Sequence, residues 1–111
     1  AVLVRKLGLA GVIATNTTVS REGLVAPMKH VDSYGAGGLS GPVLAARAKE
    51  VLVLLRKELG PKFAVISVGG VVSGEDVLER LKLGADLVQG YTGFVYQGPL
   101  WARKVNASLA N

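Results

Sequence analysis

The chain has 111 residues and a formal net charge of +5; half of its residues are hydrophobic and 19% are charged. This composition excludes an intrinsically disordered protein, and the absence of cysteine excludes a disulfide scaffold, a thiolate metal site and a cysteine nucleophile. The 13 lysines and arginines are scattered and do not interleave with the aromatic residues, so no nucleic-acid-binding surface is expected.

The first half of the chain predicts one strand and one long helix. Residues 1–9 have the pattern of a helix end, and a short apolar, β-branched run predicts a buried strand near residues 11–15. Residues 15–41 form a polar, glycine-rich excursion, which at this length is usually functional or disordered. A helix is expected near residues 42–59, opened by a proline and closed by Gly60 and Pro61. Its predicted apolar face comprises Leu44, Ala48, Val51, Leu55 and Leu59.

The second half repeats the alternation of strand and helix. Strands are predicted near residues 63–68 and 86–91, and helices near residues 74–83 and 99–109. Residues 73–76 have the spacing of a capping box, with an aspartate in the place of the usual glutamate. The predicted inward residues of the helix that follows are Val77, Leu78 and Leu81.

This alternation predicts an α/β fold whose strands are parallel and joined by right-handed crossovers. Two architectures fit it: a doubly wound sheet and a β/α barrel. Because a complete barrel needs eight units and about 250 residues, three units can form only part of one. If the sequence comes from a barrel, we expect it to be the C-terminal part.

Glycine-rich turns follow the second and third predicted strands, at residues 68–71 and 91–94. Ligands of parallel α/β folds bind at the carboxyl ends of the strands. Glycines there let a ligand approach the backbone, and free amides next to a helix start attract anions. The pair of turns favours a phosphate site, although two tight strand-to-helix turns would have the same sequence.

The loop after the first strand is polar. Residues 15–18 offer three hydroxyls and one amide, which suit a planar polar ring such as a pyrimidine, or equally a helix cap or polar turn. Residues 37–41 are either a flexible loop before a helix or a backbone surface for a flat cofactor. His30, the only histidine, has no evident catalytic partner, and no spacing of Asp, Glu and His predicts a metal site. Tyr34 and Trp101 are interpreted as packing residues.

These motifs, in this order, resemble dihydroorotate dehydrogenase, and specifically its class 2, quinone-linked type. The resemblance covers almost the whole chain and rests on residues 11–18, 37–41, 68–71, 87–93 and 94–99. It implies that residues 1–111 are the C-terminal portion of an FMN-binding (β/α)8 barrel and supply its last three strands and helices.

The resemblance also implies roles for ten residues. Asn16 and Thr17 would hydrogen-bond the dihydroorotate or orotate ring. The residues that would bind FMN and its phosphate are Thr15, Ser40, Gly41, Gly69, Gly70, Tyr91, Thr92 and Gly93. No catalytic residue is assigned, because in class 2 the serine base belongs to an earlier part of the barrel. The isolated chain is therefore expected to be inactive. Because a free three-strand fragment would expose two strand edges and the inner apolar face of the barrel, it is also expected to be either oligomeric or unstable.

The implied reaction oxidises dihydroorotate to orotate in pyrimidine synthesis, with hydride transfer to FMN and reoxidation by a quinone. The resemblance implies a parent protein that is cytoplasmic or peripheral at the inner membrane. The longest apolar stretch of this chain is shorter than the roughly 18–20 residues of a spanning helix. Two alternatives remain open: a phosphate-binding barrel lyase or isomerase without flavin, and a catalytically inactive barrel fragment.

Three positions depart from the pattern that the resemblance implies. Pro42 precedes Val43 where the family usually has another residue and then proline. Gly90 stands where a larger apolar residue is common, and Ser67 stands where glycine is usual. None of these departures removes a proposed ligand.

Overall fold

A computed structural model describes residues 1–110 of the protein, and three parallel strands form its sheet in the order β1-β2-β3. The strands are β1 (Gly11–Ala14), β2 (Ala64–Val68) and β3 (Leu87–Gln89). The helices are α1 (Val2–Lys6), α2 (Met28–Asp32), α3 (Ala45–Leu59), α4 (Gly74–Lys82), α5 (Thr92–Gln97) and α6 (Trp101–Leu109), with one turn of 3-10 helix at Pro42–Leu44.

The central strand, β2, fixes the register of the sheet. It pairs with β1 from Gly11 opposite Ala64 to Ala14 opposite Ser67, and with β3 from Ile66 opposite Leu87 onward. All three strands therefore end at the same edge, and the loops that follow them emerge side by side.

Two apolar clusters hold the helices against the sheet. The larger one consists of Val4, Leu52, Leu59, Val65 and Ala85, and the smaller one of Val71, Trp101 and Val105. The predicted face of α3 is confirmed at Ala48 and Leu59, but it also includes Leu52, which is 1% exposed and was not predicted. Val51 and Leu55 are only partly buried, because the inward stripe of α3 runs through Leu52.

The inward face of α4 was predicted correctly at Val77, which packs against the cluster of Val71, Trp101 and Val105, but wrongly at Leu78 and Leu81. Leu78 and Leu81 are 44% and 39% exposed, whereas Arg80 is 1% exposed. Val77 and Arg80 are three residues apart and therefore lie on the same side of the helix. That side faces the sheet, so the buried position belongs to a charged residue, and an apolar pattern cannot indicate it.

Two short helices were not predicted. Within the long excursion lies α2, and the excursion is closed by an antiparallel bridge between Thr18 and Leu39. After β3 lies α5, which ends at Gly98 with φ +84°. The last helix, predicted near residues 99–109, begins only at Trp101, whose amide closes a turn on the Gly98 carbonyl at 3.0 Å.

The capping box predicted at residues 73–76 is present. The Ser73 hydroxyl accepts from the Asp76 amide at 3.2 Å, and the Asp76 carboxylate accepts from the amides of Ser73 and Val72 at 3.0 Å each. Burial alone would raise the pKa of Asp76, but these donors, the Ser73 hydroxyl and the charge of Arg80 together hold that pKa below its usual value.

Arg56 and Asp86 tie the ends of α3, β2 and β3 together at the opposite edge of the sheet. The guanidinium donates to the carbonyls of Gly84 and Gly60 at 2.7 and 2.8 Å and to Asp86 at 2.6 Å. The same Asp86 oxygen accepts from the Val65 amide at 2.7 Å. The hydrogen bond from the Val65 amide, and to a smaller extent that from Arg56, lowers the pKa of Asp86.

None of the helices in residues 1–110 has both the length and the apolar character needed to cross a membrane.

We expect Asp86→Ala to lower the free energy of unfolding by about 1–2 kcal/mol, because the amide of buried Val65 loses its acceptor. Urea-induced unfolding monitored by circular dichroism measures this change. The control is Asp32→Ala, which removes an exposed carboxylate at the end of α2 and should change stability by less than about 0.5 kcal/mol. Equal stability of the two variants would contradict the role of Asp86 as the acceptor for the Val65 amide.

A pH dependence follows from the Asp76 capping box. A carboxyl group whose pKa is lowered by folding stabilises the fold above its unfolded pKa, here near the ordinary value of 3.8, and that contribution is lost as the pH falls through the folded pKa. The stability difference between the wild type and Asp76→Asn should therefore be largest above about pH 5 and shrink below about pH 4. Urea titrations at several pH values measure this difference. A stability difference between the wild type and Asp76→Asn that increased in acid would contradict the prediction.

Candidate functional site

A cleft of about 210 Å³ lies at the edge of the sheet where the three strands end. Four separate segments contribute to it: the loops after β1, β2 and β3, and the turn before α3. Its lining consists of Thr15, Asn16, Thr17, Ser40, Gly41, Leu44, Val68, Gly69, Gly70, Val71, Gly90, Tyr91 and Thr92.

Nine of the ten predicted site residues line this cleft, and Gly93 does not. Gly93 is buried in the first turn of α5, where an added Cβ would lie 2.8 Å from the Val71 carbonyl oxygen and 3.2 Å from the Trp101 ring. It therefore allows α5 to pack against the loop after β2, beneath the cleft.

The turn after β2 forms the floor of the cleft. Gly69 and Gly70 have φ values of +115° and +73°, which side chains rarely adopt. A Cβ on Gly70 would lie 2.6 Å from the Ala45 nitrogen, so this turn also needs glycine to approach the start of α3. Among residues 1–110, the Gly70 amide has no protein acceptor, and it is available to an anion in the cleft.

The segment after β3 meets the turn before α3 across the cleft. The Thr92 hydroxyl donates to the Ser40 hydroxyl at 3.0 Å. Gly41 has φ +86°, and an added Cβ would lie 3.3 Å from Thr92 Cγ2. The amides of Tyr91 and Thr92 have no protein acceptor in the described part of the chain, so they add two further donors near the floor.

The loop after β1 forms the third wall. The Thr15 amide donates to the Val68 carbonyl at 2.8 Å. The peptide bond between Ala14 and Thr15 is cis. The Asn16 side-chain oxygen accepts from the Thr17 amide at 2.8 Å. This bond engages the oxygen and leaves the Asn16 NH2 group as a free donor at the cleft.

Trp101 explains the departure at Gly90. A Cβ on Gly90 would overlap the Trp101 ring, and the indole nitrogen donates to the Val72 carbonyl at 2.8 Å. The indole therefore occupies the volume that a larger residue at position 90 would take. The predicted packing role of Trp101 is confirmed, since its side chain is 7% exposed. The same prediction is wrong for Tyr34, which is 77% exposed; its ring meets the His30 ring edge-on at 5.1 Å, and its hydroxyl lies 3.3 Å from His30 Nε2.

The cleft lining carries no charged side chain. The nearest buried charge is that of Arg80, which donates to the Gly69 carbonyl at 2.5 Å and to the Ser67 hydroxyl at 2.8 Å. Burial lowers the pKa of Arg80, partly opposed by Asp76 and Glu79, but an arginine stays protonated in such an environment. Sequence reasoning missed this residue, and the only signal was its position three residues after Val77.

Known proteins of one family resemble this chain over almost its whole length. The sequence profile described as "Dihydroorotate dehydrogenase" matches residues 1–111. A dihydroorotate dehydrogenase (quinone) of Clavibacter michiganensis is 62% identical over 107 residues, which is 96% of this chain and 31% of that protein. One of Leifsonia xyli is 57% identical over 105 residues, 95% of this chain and 31% of that protein.

Solved structures show the same fold. Ligand-free dihydroorotate dehydrogenase of Eimeria tenella superposes with a TM-score of 0.86 at 34% identity, covering 98% of this chain and 30% of that one. The complex of the Eimeria enzyme with ferulenol gives 0.85 at 37% identity, covering 96% of this chain and 28% of that one. The predicted fold class is confirmed as three parallel βα units of a TIM barrel.

The chain thus spans about three tenths of the length of these relatives. The family profile nevertheless covers all of its residues, and the identities extend over almost its full length. The chain belongs to the dihydroorotate dehydrogenase family.

Proposed function

We propose that this chain is the FMN- and substrate-binding portion of a quinone-linked dihydroorotate dehydrogenase. One observation carries the proposal: nine residues assigned to FMN or substrate by family resemblance, from four separate segments, line one cleft. The relatives named dihydroorotate dehydrogenase (quinone) support the same reading.

The residues present fit FMN. Its phosphate would be held by the amides of Gly70, Tyr91 and Thr92, which have no acceptor within residues 1–110. An anion suits this floor because neighbouring backbone amides concentrate positive partial charge. Thr15 and the Ser40–Gly41 backbone would contact the flavin itself. When bound, FMN supplies the hydride acceptor of the reaction.

Asn16 and Thr17 would orient dihydroorotate. The free NH2 group of Asn16 suits a ring carbonyl oxygen, and the Thr17 hydroxyl can donate or accept. Conversion to orotate removes one proton and one hydride from adjacent ring carbons. By resemblance, the serine that takes the proton belongs to a part of the barrel outside residues 1–111, and a quinone at the membrane periphery would receive the electrons.

The absorption spectrum of the full-length protein that carries this chain tests the proposal. We expect a flavin spectrum at one FMN per protein molecule, which dihydroorotate bleaches without oxygen and a quinone analogue restores. A colourless protein that FMN does not reconstitute would instead favour the flavin-free phosphate-binding barrel.

Gly70→Ala should abolish measurable FMN binding. The added methyl group would lie 2.6 Å from the Ala45 nitrogen and would displace the turn that presents the Gly70 amide. Quenching of FMN fluorescence measures the affinity. Gly23→Ala is the matched control, because Gly23 has the same φ of +73° but nothing within 4 Å of the added Cβ. Loss of binding in both variants would attribute the effect to backbone strain alone.

Asn16→Asp should weaken orotate binding by at least about tenfold, because the carboxylate keeps the acceptor for Thr17 but removes the donors and repels an anionic ligand. Isothermal titration with orotate, on protein loaded with FMN, measures the change. Asn106→Asp on α6, which is exposed and remote from the cleft, is the charge-matched control. Wild-type affinity in Asn16→Asp would contradict the assigned role.

A further inference from the structure

Arg80 has an unusual environment for an arginine. It is the largest fully buried side chain, 1% exposed, and its guanidinium lies under the turn after β2. Among residues 1–110 it forms no ion pair, and its Nε has no hydrogen-bond partner. Burying a cation without a paired carboxylate is costly, so the contacts that it does make need an explanation.

Those contacts are two neutral oxygens next to the cleft floor. Nη2 donates to the Gly69 carbonyl at 2.5 Å, and Nη1 donates to the Ser67 hydroxyl at 2.8 Å. Ser67 is itself 1% exposed and lies on β2. At this position the family resemblance implies glycine, which would give the guanidinium no side-chain acceptor.

The contact with Gly69 also determines the direction of the Gly70 amide. The carbonyl of Gly69 and the N–H of Gly70 belong to one peptide unit, which is trans. Because a trans peptide is planar, its C=O and N–H point in opposite directions. Anchoring the oxygen on Arg80 therefore aims the N–H away from the arginine, and Gly70 lines the cleft.

The charge adds to this geometry. A carbonyl that accepts a hydrogen bond from a cation polarises its peptide unit, so the N–H on the other side becomes a stronger donor. Gly69 and Gly70 have no side chains to hold this peptide in place, and among residues 1–110 the one side-chain hydrogen bond to it comes from Arg80.

We propose that Arg80 is a positioning residue for anion binding: through the Gly69 carbonyl it orients and polarises the Gly70 amide toward the phosphate of the ligand, and Ser67 holds its guanidinium in place. This inference rests on the proposed function, since the phosphate is that of FMN. It assigns Arg80 no contact with the ligand.

The test compares FMN with riboflavin, which has the same ring system but no phosphate, in the full-length protein that carries this chain. Arg80→Met should weaken FMN binding by about tenfold or more, the size found for outer-shell partners of metal ligands, and change riboflavin affinity by less than twofold. Arg80→Lys, which keeps a cationic donor for Gly69, should recover most of the FMN affinity. Arg103→Met removes an exposed arginine of α6 and should alter neither affinity.

Equal losses of FMN and riboflavin affinity in Arg80→Met would overturn the inference, because a general structural role affects both ligands. Hydrogen exchange of the wild type provides a measurement that does not depend on the variant folding. FMN should slow exchange of the Gly70 amide, and riboflavin should not. Exchange that FMN leaves unchanged would overturn the inference and the role of the Gly70 amide but leave FMN binding intact, whereas a wild type that binds neither ligand would overturn the proposed function and the inference with it.

Discussion

The hydrogen bonding of β2 to both of its neighbours is the constraint from which the geometry of the cleft follows. Because β2 pairs in parallel with β1 and β3 at once, the three strands must end together. Residues that are more than fifty positions apart then come into contact. For example, a Cβ added to Gly69 would lie 3.0 Å from the hydroxyl oxygen of Thr15. The α3 and α4 helices pack on the sheet and hold the turns at its edge without contributing charged groups to the lining.

The chemistry of the site is therefore mainly that of the backbone. The proposed phosphate donors are amides, and hydroxyls and one carboxamide surround them. Such a site needs fixed peptide orientations more than it needs particular side chains. The residues that fix these orientations are consequently those packed behind the lining. They are Trp101 next to Gly90, Gly93 under the turn, and Arg80 below Gly69.

The sequence was informative wherever apolar pattern and glycine coincide. The strand at 64–68 is a nearly continuous apolar run, broken only by Ser67 and ended by Gly69 and Gly70, and both its type and its place in the site were predictable. The helix at 28–32 was not, since only Val31 of its five residues is buried and no periodicity is visible. Arg80 escaped prediction because its burial depends on two oxygens that tertiary structure alone brings to it.

The pair of Gly90 and Trp101 has a consequence for how this chain can diverge from its relatives. The indole fills the space next to residue 90, and its nitrogen donates to the Val72 carbonyl, so the two positions share one volume. A larger residue at 90 is acceptable only after position 101 has become smaller, and that order first creates a cavity and then fills it; the reverse order first creates a clash with the indole. The two sites are thus epistatic, and exchange between this packing and one with a larger residue at 90 passes through the cavity-bearing intermediate.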